Sequence, residues 1–179
     1  LILFALIHSS IKDVLLTVEE KNSFYSDMIP ELFKISRNHD VSHIVADGLF
    51  KNKLIQNDDE YYSYFQADML AAVYRYGQNS YTYANLCNLL EEEGIDFVPL
   101  KGSVIRKLYN EPWMRTSCDI DILILKRDLD KTVSILTEKY GYKNHRINGH
   151  DASIFAPNGV HVELHFSLIE EHFAKFNNP

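Results

Sequence analysis

The stretch Cys118-Asp119-Ile120-Asp121-Ile122-Leu123-Ile124-Leu125 alternates acidic and branched apolar residues, then closes on an apolar run. β-Branched residues with a period of two predict a strand, in which side chains point to opposite faces by turns. Ile120 and Ile122 then share one face, and Asp119 and Asp121 share the other. At a rise of about 3.3 Å per residue, the two aspartate Cβ atoms stand roughly 6–7 Å apart. Two carboxylates on one face of so apolar a strand repel each other unless cations neutralise them. Replacing both by asparagine is accordingly expected to leave the metal-free protein at least as stable. Magnesium or manganese suits an all-oxygen site of this kind, with water and phosphate oxygens completing the shell.

Downstream, Ser153-Ile154-Phe155, Ala156-Pro157-Asn158-Gly159 and Val160 to Leu168 read as a hairpin, with Asn-Gly supplying the turn. On its second strand Val160, Val162, Leu164 and Phe166 point one way, and His161, Glu163 and His165 point the other. Glu163 is thereby a third carboxylate able to face Asp119 and Asp121 if the two strands are neighbours. Upstream, Phe97-Val98-Pro99-Leu100 reads as a short strand whose proline marks an edge or an end. Lys101-Gly102-Ser103 then turns into the amphipathic segment Val104 to Tyr109. Free N–H groups at such a junction favour an anion; Gly102 permits close backbone approach and Ser103 offers a hydroxyl. Asp128 is placed to cap a helix through Tyr140 that Gly141 closes. Tyr142 to Arg146 reads as another short strand, and residues 169–176 as the start of a helix.

Up to about residue 93 the texture is helical. Apolar residues from Leu3 to Val18 recur at three- and four-residue steps. Asp40 is expected to cap a helix carrying Ile44, Val45, Leu49 and Phe50. Asp58 or Asp59 is expected to cap a longer one from Tyr61 to Tyr76, with a further helical pattern from Tyr83 to Leu90 that Gly94 ends. The aromatic run Tyr61, Tyr62, Tyr64 and Phe65 reads as packing rather than base stacking. The fold class is therefore α+β: a mixed sheet of β-α-β-α-β form with an added hairpin (94–179), behind a helical N-terminal region (1–93) packing as its own layer.

Composition narrows the function classes. Of 179 residues, 46% are hydrophobic and 24% charged, which fits a chain with a buried core and excludes disordered and collagen-like classes. The net charge of −7 speaks against nucleic acid and anionic membranes as partners. Residues 97–128 depart from this balance, with 6 basic and 4 acidic groups, whereas residues 1–96 carry 7 basic and 15 acidic. That cationic island suits a small phosphorylated ligand. The apolar opening Leu1 to Ile7 is far short of the roughly 20 residues of a membrane span. Cys87 and Cys118 read as free thiols of a cytoplasmic protein. The chain begins without methionine and stops after an apolar stretch at Asn177-Asn178-Pro179, which reads as truncation at the C-terminus.

Pro99-Leu100-Lys101-Gly102-Ser103-Val104-Ile105-Arg106, followed by Tyr109, Pro112, Arg115 and Asp119-Ile120-Asp121-Ile122-Leu123, resembles the uncharacterised bacterial nucleotidyltransferase family. That family belongs to the DNA polymerase β-like superfamily, and Val162-Glu163-Leu164-His165 is similar to its later acidic-x-His strand. The likeness covers roughly residues 95–168. It implies a minimal nucleotidyltransferase core that moves a nucleoside monophosphate from a triphosphate, ATP among them, to an acceptor with release of pyrophosphate. By resemblance Asp119 and Asp121 are ligands of both Mg2+ or Mn2+ ions. Glu163 completes the inner ion and helps deprotonate the acceptor. Gly102 and Ser103 hold the β- and γ-phosphates, with Lys101, Arg106 and Arg115 as further phosphate partners. Fifteen residues separate Ser103 from Asp119, longer than the usual superfamily spacing though suited to the narrower family. The acceptor is not named by the sequence; a small molecule or a protein side chain is expected, and the absent C-terminal part is expected to hold its pocket. Two other readings compete. One is a zinc enzyme built on His161, Glu163 and His165 with His172 or His150. The other is a catalytically silent, antitoxin-like interaction module.

Overall fold

A computed structural model describes residues 2–168, and the chain divides into two compact units. The first comprises residues up to Arg75 together with Lys107–Arg115. It holds α1 (Ile2–Ile11), α2 (Val18–Asn22), α3 (Ile29–Asn38), α4 (Ser42–Lys51) and the opening turns of α5 (Tyr62–Glu92). Leu6, Ile29, Leu32, Val45, Leu49 and Phe65 form its core. Helices α1 and α4 pack so closely that a Cβ on Gly48 would stand 2.6 Å from the Leu6 carbonyl oxygen.

The aromatic run belongs to this core: Phe33 meets Phe65 at 5.0 Å and Tyr61 at 5.5 Å between ring centroids, and Phe50 meets Tyr62 at 4.8 Å. Asp59 accepts a hydrogen bond from the Tyr61 amide, as a residue ahead of a helix should. Asp40 does not cap α4. It lies at φ 54°, and Val41 is the N-cap residue. The two helical patterns either side of Gly77 are one 31-residue helix, since a single glycine costs only about 1 kcal/mol against the bonds of a continuous ladder.

The second unit comprises Tyr76–Arg106 and the chain from Thr116 onward. After the last turns of α5, Gly94 reverses the chain at φ 64°. Then follow β1 (Phe97–Pro99), α6 (Gly102–Ile105), β2 (Asp119–Ile124), α7 (Leu129–Glu138), β3 (Lys143–Ile147), β4 (Asp151–Phe155) and β5 (His161–His165). The fold is mixed α+β, with a five-stranded sheet in the order β1-β2-β5-β4-β3. Strands β2 and β5 are parallel and the other pairs antiparallel. Pro99 lies on an edge strand, where its missing N–H interrupts no ladder.

Alternation places Ile120, Ile122, Ile124, Ala152, Ile154, Val162 and Leu164 in one core with Leu86 and Leu90 of α5 and Leu129, Val133 and Leu136 of α7. Two side-chain bonds tie α5 to the sheet: Asn79 donates to the Ser117 carbonyl just before β2, and Asn158 at the hairpin turn donates to Thr82. Gly159 takes φ 86° in that turn, the left-handed backbone that the Asn-Gly pair predicts. Asp128 occupies the N-cap of α7 without a side-chain capping bond, because a 3-10 turn over Lys126–Asp128 leads into the helix. The helix expected from residue 169 lies outside the described residues. No helix among the described residues is long and apolar enough to cross a membrane.

Candidate active site

With one sheet face sealed by helices, every second residue of β2, β5 and β4 faces the other way. The parallel register sets Asp119 beside His161, Asp121 beside Glu163 and Leu123 beside His165. The antiparallel register sets Ser153 beside Glu163 and Asp151 beside His165. Three carboxylates predicted from separate stretches thus share one face. Ligand atoms of Asp119, His161 and Glu163 lie within 4.8 Å of one another, as do those of Asp121, Glu163 and His165.

Asp121 is 2% exposed, and its charge is matched inside the cluster. Lys101 Nζ donates to its Oδ1 at 2.6 Å and His165 Nε2 lies 2.9 Å from the same oxygen. Both cation-capable groups also approach Glu163 Oε2, Lys101 at 3.9 Å and His165 at 3.3 Å. Burial pushes the Asp121 carboxyl up, but the bonds from His165 and Lys101 outweigh it and hold the group below its ordinary value. Glu163 goes the other way: burial first, then repulsion by Asp121 and Asp119, raises it. The bond to Asp121 raises the Lys101 ammonium against the effect of burial. The expectation that asparagine at Asp119 and Asp121 relieves repulsion is therefore corrected for Asp121. The strained carboxylate is Glu163, because Asp121 already has its counter-charges.

Lys101 reaches the cluster through backbone pairing. The Leu100 amide donates to the Asp121 carbonyl, continuing the β1–β2 ladder to the threshold of α6. Lys101 itself lies at φ 43°, a conformation costly for a non-glycine residue. Gly102 and Ser103 open α6 and are both buried. A Cβ on Gly102 would meet Ser117 Cβ and Oγ at 3.2 Å, so the turn packs tightly on the approach to β2. Arg106 is buried beneath it, donating from Nε to the Gly102 carbonyl at 2.9 Å and from Nη2 to Ser117 Oγ at 2.6 Å.

Arg115 belongs to the helical unit with the rest of Lys107–Arg115. This is the segment that lengthens the Ser103-to-Asp119 spacing, and it is anchored there by buried Met114, whose carbonyl lies 3.0 Å from His43 Nε2. Beside the acidic face an apolar cavity of about 760 Å³ is lined by Val98, Leu123, Leu125, Phe166 and Leu168 among others.

The donor set fits a divalent cation: three carboxylates converge from two strands, and Asp151 Oδ1, on the same face, is buried without a hydrogen-bond partner. The histidines are divided between the two groups, one each, rather than gathered with Glu163 on one ion as the zinc reading requires. His150 stacks on His165 at 6.1 Å, and His172 lies outside the described residues. Asp151 escaped the sequence reading, although extending the alternation of Ser153-Ile154-Phe155 back by two residues places it on the site face.

A family model described as uncharacterised nucleotidyltransferase matches residues 26–179. No curated protein and no solved structure matches the chain.

Proposed function

The chain belongs to the uncharacterised nucleotidyltransferase family, and from that premise we propose that it transfers a nucleoside monophosphate from a metal-bound triphosphate to an acceptor, releasing pyrophosphate. The observation that carries this reading is the register of β2 on β5, which seats Asp121 beside Glu163 with Asp119 on the same face. Asp119, Asp121 and Glu163 would hold Mg2+ or Mn2+. Such ions supply charge neutralisation of the triphosphate and of the attacking and leaving oxygens.

The protein's own groups do the positioning. Gly102 and Ser103, at the turn between β1 and α6, are assigned to the β- and γ-phosphates, and Arg106 braces that turn through the Gly102 carbonyl. Lys101 delivers an ammonium at the mouth of the cluster. Glu163, raised by burial and then by its acidic neighbours, is the carboxylate suited to accept the acceptor's proton. The acceptor is a small molecule or a protein side chain.

Incubation with α-labelled and γ-labelled triphosphates decides the reaction. Label from the α position in a product, with pyrophosphate released and the transfer lost in Asp121→Asn, is expected. Transfer of γ label would refute it, and so would triphosphate binding that is indifferent to divalent metal. The silent-module reading predicts no transfer and no metal-dependent triphosphate binding.

A further inference from the structure

Each carboxylate group on the site face is accompanied by an imidazole. His161 stands in register with Asp119, and His165 follows Glu163 by two residues, so Glu163 is flanked on its own strand by two nitrogen donors. The two ligand groups, Asp119-His161-Glu163 and Asp121-Glu163-His165, share Glu163 and repeat one composition of two carboxylates and one imidazole. His165 is buried, and its Nε2 points at both carboxylates of its group, 2.9 Å from Asp121 and 3.3 Å from Glu163.

Strand β4 sets a residue opposite each histidine, bonded in one case and unpartnered in the other. Ser153 is hydrogen-bonded to His161 Nε2, and the ring packs at a tilt against Phe155, 5.0 Å between centroids. Asp151 lies opposite His165 across the β4–β5 pair. It is 5% exposed, yet its Oδ1 has no hydrogen-bond partner, and His150 Nε2 stands 3.9 Å away, beyond hydrogen-bond reach. A buried carboxylate oxygen without a hydrogen-bond partner costs stability, which is the reason to ask what group it serves. A carboxylate behind a ligating histidine is the usual outer partner in metal sites, where it sets the ring's orientation and basicity.

Resting on the carboxylate-site reading above, we infer that His161 and His165 are metal ligands, one to each ion, and that the site selects a transition-series divalent cation over magnesium. Ser153 is the positioning residue that holds the His161 ring, and Asp151 is assigned as the outer partner of His165 once an ion is bound. Magnesium is a hard ion that prefers oxygen and keeps its waters, whereas imidazole suits iron, nickel, copper and zinc, and manganese, at the foot of that series, accepts a nitrogen ligand more readily than magnesium does. Three carboxylates alone do not discriminate in this way; the two nitrogens do.

The test uses the full chain and Mn2+ alone as probe, with no nucleotide. Electron spin-echo spectroscopy of the Mn2+ complex is expected to show imidazole nitrogen coupling, diminished in His161→Gln and in His165→Asn. Competition calorimetry is expected to show Mn2+ bound at least about tenfold more tightly than Mg2+, with that ratio collapsing in His161→Gln. Asp151→Asn is expected to weaken Mn2+ binding about tenfold or more without removing the nitrogen coupling of His161. Because His165 is buried, its variant is accepted only if its metal-free circular dichroism matches the parent; half-buried His161 keeps the inference testable if it does not. Mn2+ bound without nitrogen coupling, and no more tightly than Mg2+, overturns this inference and leaves the three-carboxylate site standing. Absence of any divalent binding overturns both.

Discussion

Glu163→Gln should stabilise the metal-free protein, whereas Asp121→Asn should destabilise it, although both remove one negative charge from the same cluster. Carboxylate oxygens of Asp119 and of Asp121 each lie within 4.8 Å of Glu163. At that distance two unit charges repel by about 3.5 kcal/mol at an effective dielectric constant of about 20. Burial of Glu163 acts first and this repulsion second; Lys101 at 3.9 Å and His165 at 3.3 Å offset part of both, yet the carboxyl stays raised, and after solvent screening the net destabilisation is about 1 kcal/mol. Asp121 stands differently. It accepts bonds from Lys101 at 2.6 Å and His165 at 2.9 Å, and a neutral amide weakens both, at a cost of about 1–2 kcal/mol.

The pH dependence separates this from a packing effect. Glu163 has a raised value in the folded state, so protonation there favours folding, and that contribution is lost as pH rises. Glutamine and parent should therefore match below about pH 4.5 and diverge as pH rises through the raised Glu163 value. Asp121, held below 3.8, contributes stability at neutral pH that is lost only as pH falls through its lowered value. Calorimetry in chelator from pH 4 to 8, with amide exchange of β2 and β5, is the assay. Tryptophan fluorescence is unsuitable because Trp113, the single tryptophan, belongs to the helical unit. A shift of roughly 2–4 °C per kcal/mol is expected for a chain of this size. A Glu163→Gln protein no more stable than the parent at pH 7, or a gap independent of pH, would refute the reasoning.

Lys101→Met should lower metal-free stability by about 1 kcal/mol, since the lysine side chain is 57% exposed, and should tighten Mn2+ binding in titrations without nucleotide by removing a competing cation. Unchanged Mn2+ affinity would assign Lys101 to the phosphates alone. Gly102→Ala should cost about 1 kcal/mol in thermal unfolding, because its Cβ meets Ser117 at 3.2 Å and the bond from buried Arg106 resists Ser117 giving way; Gly102→Ala/Ser117→Gly should recover part of the loss. In the helical unit, Gly48→Ala should be among the most damaging single changes, about 3 kcal/mol or more, since its Cβ would press on the Leu6 carbonyl at 2.6 Å and backbone cannot yield as a side chain does. Loss of amide protection in α1 and α4, measured by exchange, is the readout.

The sequence by itself determined which way the side chains of β2 and β5 point, because a period of two survives any arrangement of strands. Asp119 and Asp121 had to share one side of their strand, His161, Glu163 and His165 one side of theirs, and Ile120, Ile122, Val162 and Leu164 had to seek a core. The Gly94 and Asn158-Gly159 reversals were legible for a similar reason, since each rests on a local backbone conformation. Alternation says nothing, however, about which strands are neighbours or in what register. Only the tertiary structure set β5 parallel to β2 with Asp121 beside Glu163, and β4 beyond them with Asp151 opposite His165. Only the long-range β1–β2 pairing brought Lys101 from twenty residues upstream onto Asp121, turning one of two like charges into a matched one. The sign of each carboxylate's contribution depends on distances to groups far apart in the chain, and those distances exist only once the sheet has formed.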